Sequence, residues 1–234
     1  MTPMRLRRPV RLRPLLALLP LTAVALLATA AAAPAATAVR VVGNHRLAPD
    51  TLRGPARDAP GLAVDPADSK HVVAVDVEVT TKTCEFFVSK DAGRTWKRGA
   101  LAAPDGYPER PCAGGVSSGD IDGGVVFGSG QNVYVTFAAK KVSDGSNHIL
   151  VARSTDGGTT FATAVETPGT ARYPKIAVQR RANGDRLYVA GSNVLVTRSD
   201  DAGQSWQPLS TPYASGASVA EATQPAVDSA GTVY

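Results

Sequence analysis

The sequence predicts an all-β fold built from repeated four-stranded antiparallel units, and three observations point to it. One octet occurs three times, as Ser89–Trp96 (SKDAGRTW), Ser154–Phe161 (STDGGTTF) and Ser199–Trp206 (SDDAGQSW). Each copy follows a short run rich in Val, Phe or Leu, the composition of a strand. No apolar period of 3.6 residues survives beyond the first 38 positions. An internal repeat constrains architecture more strongly than any local pattern.

The residue types of the octet, Ser-x-Asp-x-Gly-x-Ser/Thr-aromatic, suit a hairpin turn. Gly93, Gly158 and Gly203 supply positive φ without a Cβ clash. The side chains of Ser89, Ser154 and Ser199 and of Asp91, Asp156 and Asp201 can bond backbone N–H groups left free by the turn. Trp96, Phe161 and Trp206 re-enter a strand, where each ring is expected to bury between neighbouring sheets. The three aspartates are thereby assigned to structure rather than to catalysis or metal binding.

The units follow in order after an irregular lead-in at 39–57. The first places strands at Pro60–Asp65, His71–Val79 and Glu85–Ser89, and the octet then turns into a fourth. The second runs from about Gly124 through Val133–Phe137 and Ile149–Arg153. The third runs through Pro174–Val178, Leu187–Val189 and Val194–Arg198. A fourth opens at Gln224–Asp228 and reaches Thr232–Tyr234. Radially repeated four-stranded units are the blades of a β-propeller, which closes with about 4–8 of them. Residues 58–234 are therefore expected to form three blades and the start of a fourth, part of a larger ring.

The first 38 residues read as a secretory signal peptide. Arg5, Arg7, Arg8, Arg11 and Arg13 precede the apolar run Leu15–Ala28, and Ala36-Thr37-Ala38 offers a small-residue cleavage site. Arg7-Arg8 suggests a twin-arginine signal, but Pro9-Val10-Arg11 fits that pattern poorly. The whole chain carries 25 basic and 20 acidic residues. Without the five leader arginines the two signs balance, so the basic isoelectric point argues for neither nucleic-acid nor membrane-surface binding. His45, His71 and His148 are scattered singly and are expected at the surface or in turns, with no metal site and no cofactor. Asp120-Ile121-Asp122-Gly123-Gly124 lacks the further oxygen ligands of a calcium loop and reads as a turn.

Strand parity sorts the loops between two faces. The octets join strands 3 and 4 of each blade, which defines a bottom face. The links from strand 2 to strand 3, and from one blade to the next, then lie on top. Top links include Gly99–Gly124, Lys140–His148, Ala171–Tyr173 and Tyr213–Glu221. Cys84 precedes a third strand and Cys112 lies in the longest top link. The two are the only cysteines, and export would let them form a disulfide that pins this link to its own blade.

The octet resembles the Asp-box, or BNR repeat, of the sialidase-like β-propellers, and the resemblance extends over about residues 60–234. It implies a bottom position for the octets, away from the active site. It also implies a secreted protein that binds or acts on glycans. Relatives of this kind include sialidases, xyloglucanases and sortilin-type binding proteins, so an exo-sialidase-like hydrolase and a non-catalytic glycan- or protein-binding propeller are both open. Sialidases hold the substrate carboxylate with three arginines and use a tyrosine nucleophile paired with a glutamate. The family's first arginine enters blade 1 in an Arg-Ile-Pro motif. Here that frame reads Asp58-Ala59-Pro60, with Arg57 one residue away, while Arg172-Tyr173-Pro174 matches Arg-x-Pro at the third blade. The substrate-binding candidates are accordingly Arg172 and Tyr173, followed by Glu109 and Arg110 on the long top link. No catalytic set is assigned.

Overall fold

The computed structural model describes residues 57–78, 81, 83–112, 124–192, 195–209 and 224–234. The leader, the lead-in up to 56, Asp120, Asp122 and the link at 213–221 lie outside them. The described residues contain strands and no helix. Blade 1 is β1 (Arg57–Val64), β2 (Val72–Glu78), β3 (Thr83–Ser89) and β4 (Lys97–Ala100). Blade 2 is β5 (Val125–Phe127), β6 (Val133–Lys140), β7 (Asn147–Ser154) and β8 (Val165–Thr170). Blade 3 is β9 (Lys175–Gln179), β10 (Arg186–Ala190), β11 (Val196–Ser199) and β12 (Gln207–Pro208). Each is an antiparallel meander in sequence order. The single bridge Val227–Val233 opens the next unit. The architecture is three successive propeller blades and the beginning of a fourth.

The middle strands read as unbroken apolar runs because both faces of each sheet are packed. In blade 2, Val133, Val135 and Phe137 face blade 1, where they meet Val73, Val75 and Phe86. Tyr134, Ile149 and Val151 face the other way, onto Ile176, Leu187 and Val189 of blade 3. Pro60 sits where the β1–β2 register slips between Asp58 and Gly61, a place that tolerates a residue without an N–H.

All three octets form the same turn between strands 3 and 4. The serine Oγ donates to the aspartate Oδ1 and accepts from the glycine N–H at 2.8 Å in every copy. The aspartate also accepts from the N–H and hydroxyl of Thr95, Thr160 or Ser205. Gly93, Gly158 and Gly203 have φ of 80°, 81° and 88°. The residue before each is left-handed as well, with Ala92 at 60°, Gly157 at 74° and Ala202 at 59°. This second positive φ is hidden in the sequence, because alanine stands there twice.

The aromatic position departs from expectation. Trp96 and Trp206 are half-buried, not enclosed between sheets. Each indole N–H donates to the glycine carbonyl of its own turn, at 2.9 Å to Gly93 and 3.2 Å to Gly203. The ring therefore serves its own hairpin first. Phe161, which has no N–H, instead crosses a blade boundary, with its ring centroid 4.7 Å from that of Phe86, and Trp206 also packs against the core between blades 2 and 3.

Polar locks join neighbouring blades on the bottom face. Asp185, fully buried just before β10, accepts from Ser129 N–H and Oγ, Asn132 Nδ2 and Tyr134 Oη of blade 2. His71, at the matching position before β2, lies 2.7 Å from the Gly157 carbonyl of blade 2 and 3.2 Å from Asp65. His71 and His148 are 5% and 8% exposed, so both are core residues rather than surface ones. Cys84 and Cys112 are bonded, with Cα atoms 5.3 Å apart, a normal span for a disulfide.

Three outcomes are expected. Replacing both cysteines with alanine should cost about 3.5 kcal/mol, the loop-closure cost of a 28-residue separation, as a lower denaturant midpoint; an unchanged midpoint would contradict it. Trp206→Ala should cost about 2 kcal/mol, half the usual loss for an enclosed tryptophan. Asp185→Ala should cost about 3 kcal/mol by leaving several buried donors unmatched. Burial pushes the Asp185 carboxyl up, but the bonds from Ser129, Tyr134 and Asn132 outweigh it and hold it below its ordinary value. Its contribution is then complete above the unfolded carboxyl range near pH 4 and is lost as pH falls through the lower folded value. Acid titration of the wild type and Asp185→Ala should show curves that converge below that point.

Candidate functional site

The top face carries the candidate site. The link between β8 and β9 is held from both sides. Ala171 N–H donates to Asn147 O at 3.0 Å, Arg172 N–H donates to Ser192 Oγ at 2.8 Å, and Ser192 N–H donates to Arg172 O at 2.8 Å. These bonds bring blade 2 and blade 3 loops together around a shallow pocket of about 270 Å³. Ser146, Asn147, Thr170, Arg172 and Ser192 line it. Its walls are hydroxyls, an amide, backbone and one guanidinium.

Tyr173 follows with φ at 53°. Positive φ is uncommon for a bulky side chain and persists only where its surroundings enforce it. The enforced turn stacks the Arg172 guanidinium 4.8 Å from the centroid of the Tyr173 ring. Arg172 and Tyr173 are thus one unit at the entry to the inner strand β9.

Glu109 and Arg110 are placed elsewhere. Both are exposed on the long link, where Arg110 Nη1 donates to Thr81 O at 3.3 Å. No contact between these two and the Arg172 pocket occurs among the described residues. The same link sends Tyr107 inward instead. Val142 N–H donates to Gly106 O at 2.9 Å, tying the link to the top loop of blade 2. Tyr107 then packs beside Lys141, His148 and Glu166. Lys141 Nζ lies 2.8 Å from Glu166, and His148 lies 2.8 Å from Asp144 and 3.0 Å from Glu166. Burial, and then the Glu166 carboxylate, push the Tyr107 phenol well above its ordinary value. Burial raises Glu166, but Lys141, Tyr107 and His148 outweigh it and keep the carboxyl low. Asp144 is held low by the Ser146 N–H and by His148.

Sequence reasoning missed this cluster and a second group. Asp76, Glu78 and Glu85 are buried on the face of blade 1 turned away from blade 2, at 3%, 4% and 5% exposure. Asp76 stands opposite Glu85 in the β2–β3 ladder, and Glu85 pairs with Arg98 at 3.4 Å. The signal was present as charge at alternate positions of β2. No group of three His, Cys, Asp or Glu that could hold a metal occurs among the described residues. No helix among them is long and apolar enough to cross a membrane.

No family model matches the sequence, and no curated protein is similar to it. Several solved structures are similar to the chain, among them the following three. One is a protein of unknown function from Dyadobacter fermentans, at 14% identity and TM-score 0.46, covering 64% of this chain and 49% of that one. Another is the α-L-arabinanase of Penicillium chrysogenum complexed with arabinobiose, at 12% identity and TM-score 0.44, covering 79% and 60%. The third is a xyloglucanase from Xanthomonas campestris, at 19% identity and TM-score 0.38, covering 63% and 23%. The chain spans between 23% and 60% of the length of these structures. The propeller assignment rests on the three sheets themselves.

The octet carboxylates titrate independently of this site. Burial raises Asp156, but Thr160, through hydroxyl and N–H, and Ser154 bring it down to about 2. A carboxyl-resolved NMR titration should therefore find Asp156 still ionised at pH 3. A midpoint near 4 would mean the octet bonds do not hold in solution.

Proposed function

We propose that the protein is an exported Asp-box propeller that binds a glycan on its top face, centred on the Arg172 pocket. The arginine-rich leader, the Cys84–Cys112 bond and the Asp-box octets support export. The observation that carries the glycan reading is the Arg172–Tyr173 pair beside a wall of hydroxyl and amide groups. An aromatic face takes the C–H side of a sugar ring, while hydroxyls, an amide and a guanidinium match its oxygens and any carboxylate. Strain at Tyr173 fits a residue held for binding.

The reading is of binding, with hydrolysis as the alternative. A tyrosine nucleophile needs a phenol that ionises readily. Tyr107 and Tyr134 each sit beside a carboxylate, and burial followed by that carboxylate pushes both phenols above their ordinary value. These two phenols are therefore not chosen as nucleophiles. Glu109 and Arg110 are assigned to the rim, as contacts for a ligand longer than one sugar.

A glycan array probed with the exported chain should return sialylated or uronate-bearing glycans. Arg172→Ala should weaken the best ligand by at least about tenfold, the loss of one charge-assisted contact. Arg110→Ala should weaken only longer ligands. Binding that survives Arg172→Ala would remove the site, and turnover of a fluorogenic sialoside would replace the binding reading with the hydrolase one.

A further inference from the structure

The loop that walls the Arg172 pocket is held from behind by a buried histidine. Gly145, Ser146 and Asn147 form one side of that pocket and Thr170 belongs to another. His148 follows Asn147 directly and stands opposite Thr170 in the β7–β8 ladder. Its neighbours along the strand and across it are therefore both wall residues. Asp144 ties the ring to the loop. Its Oδ2 lies 2.8 Å from His148 Nε2, and its Oδ1 accepts from the Ser146 N–H at 2.8 Å. The loop closes on itself as Lys141 N–H donates to Ser146 O at 2.9 Å and Gly145 N–H donates to Lys141 O at 3.0 Å.

The other ring nitrogen meets a second carboxylate. His148 Nδ1 is buried, lies 3.0 Å from Glu166 Oε1 and makes no aligned hydrogen bond. Carboxylates only accept, and a neutral imidazole has a single N–H. A neutral ring would turn one nitrogen lone pair toward an anionic oxygen, whereas an imidazolium attracts both carboxylates. Two further charged or titratable groups pack here among the described residues. Tyr107 of the long link has its ring centroid 6.3 Å from that of His148, and Lys141 Nζ lies 2.8 Å from Glu166. Asp144 is held low by the Ser146 N–H and His148, and Glu166 by Lys141, Tyr107 and His148 against its burial. Burial keeps the Tyr107 phenol high. None of these three changes charge between about pH 5 and 9, the window that contains the ordinary range of an imidazole.

We infer that His148 is a positioning residue for the Arg172 pocket: as imidazolium it clamps Asp144 and Glu166 together and fixes the wall from Asp144 to Asn147 in its binding form. Loss of the proton leaves one carboxylate unmatched, and the wall loosens against β8. Ligand affinity is thereby linked to a proton and weakens as pH rises, because a wall already in place costs less to bind. The ligand rests on the glycan reading of the pocket, while the hold of His148 on the wall does not.

The test has a ligand-free arm and a binding arm, both on the exported chain. Without ligand, the amide resonances of Ser146, Asn147 and Thr170 should titrate together within that pH window, and the titration should vanish in His148→Gln. Asp144→Asn, at a half-exposed side chain, should move the midpoint to lower pH, because the imidazolium loses an anionic partner. With sialyllactose as the probe, calorimetry should find affinity at least about fivefold weaker at the alkaline end of the window than at the acid end. In His148→Gln the two affinities should be equal. A sugar carboxylate and a guanidinium keep their charges throughout. Arg172→Ala should lose the probe and keep the amide titration. Absent binding at either end would remove the glycan reading and leave the amides to decide the role of His148. That role is overturned by amides that ignore pH, that titrate equally in His148→Gln or that keep their midpoint in Asp144→Asn, and by a probe held equally at both ends.

Discussion

The serine hydroxyl of each octet is the contact on which the structure depends. Ser89, Ser154 and Ser199 are each 1% exposed, and each both donates to an aspartate and accepts a glycine N–H. That double bond secures two consecutive left-handed residues, a conformation an unaided chain avoids. With the turn secured, the register between strands 3 and 4 is set. With the register set, alternate side chains of strand 3 point into the two neighbouring blade interfaces. Alanine at the serine would remove an acceptor from a buried N–H and a donor from a carboxylate at once.

The blades are then joined by a mixture of apolar and polar contact. The position before strand 2 shows how one geometric need is met by different chemistry. His71, Asn132 and Asp185 occupy it in turn. His71 reaches forward to the octet of the next blade, while Asp185 reaches back and gathers donors from the previous one. Asn132 serves as one of those donors and also accepts from Arg153. Arg180 adds to the same seam by donating to the carbonyls of Phe127 and Gly128. Directional bonds at the bottom thus align sheets whose apolar faces alone would slide.

The architecture was legible because it repeats. Glycine at a fixed place, serine and aspartate at fixed offsets, and an apolar run before each octet determine the hairpins and their face. Strand parity alone put Cys84 and Cys112 on one side. The side-chain environments were not legible to the same degree. Nothing in the order of residues says that the indoles of Trp96 and Trp206 bond their own turns, since burial depends on how far the next blade stands away. His71 and His148 looked isolated because one partner of each comes from a distant position, Gly157 in one case and Glu166 in the other, beside the local carboxylates of Asp65 and Asp144. Arg172 and Tyr173 could be singled out from Arg-x-Pro, but their stacking follows from the positive φ of a tyrosine. Glu109 and Arg110 were grouped with them by loop length, whereas the long link turns Tyr107 inward and leaves that pair exposed, with Arg110 bonded to Thr81 of blade 1.

The Cys84–Cys112 bond also alters how the molecule would bear load. A pull applied along the backbone passes through the sulfur atoms and bypasses the 28-residue separation between them. At about 3.3–3.6 Å per residue, roughly 90–100 Å of contour length is withheld from extension. The withheld stretch contains β4, the first octet and Gly106, which is bonded to Val142 of blade 2. Tension arriving at blade 1 is therefore handed to the β2–β3 ladder, and the first hairpin with its Trp96 ring is shielded until the bond itself is reduced.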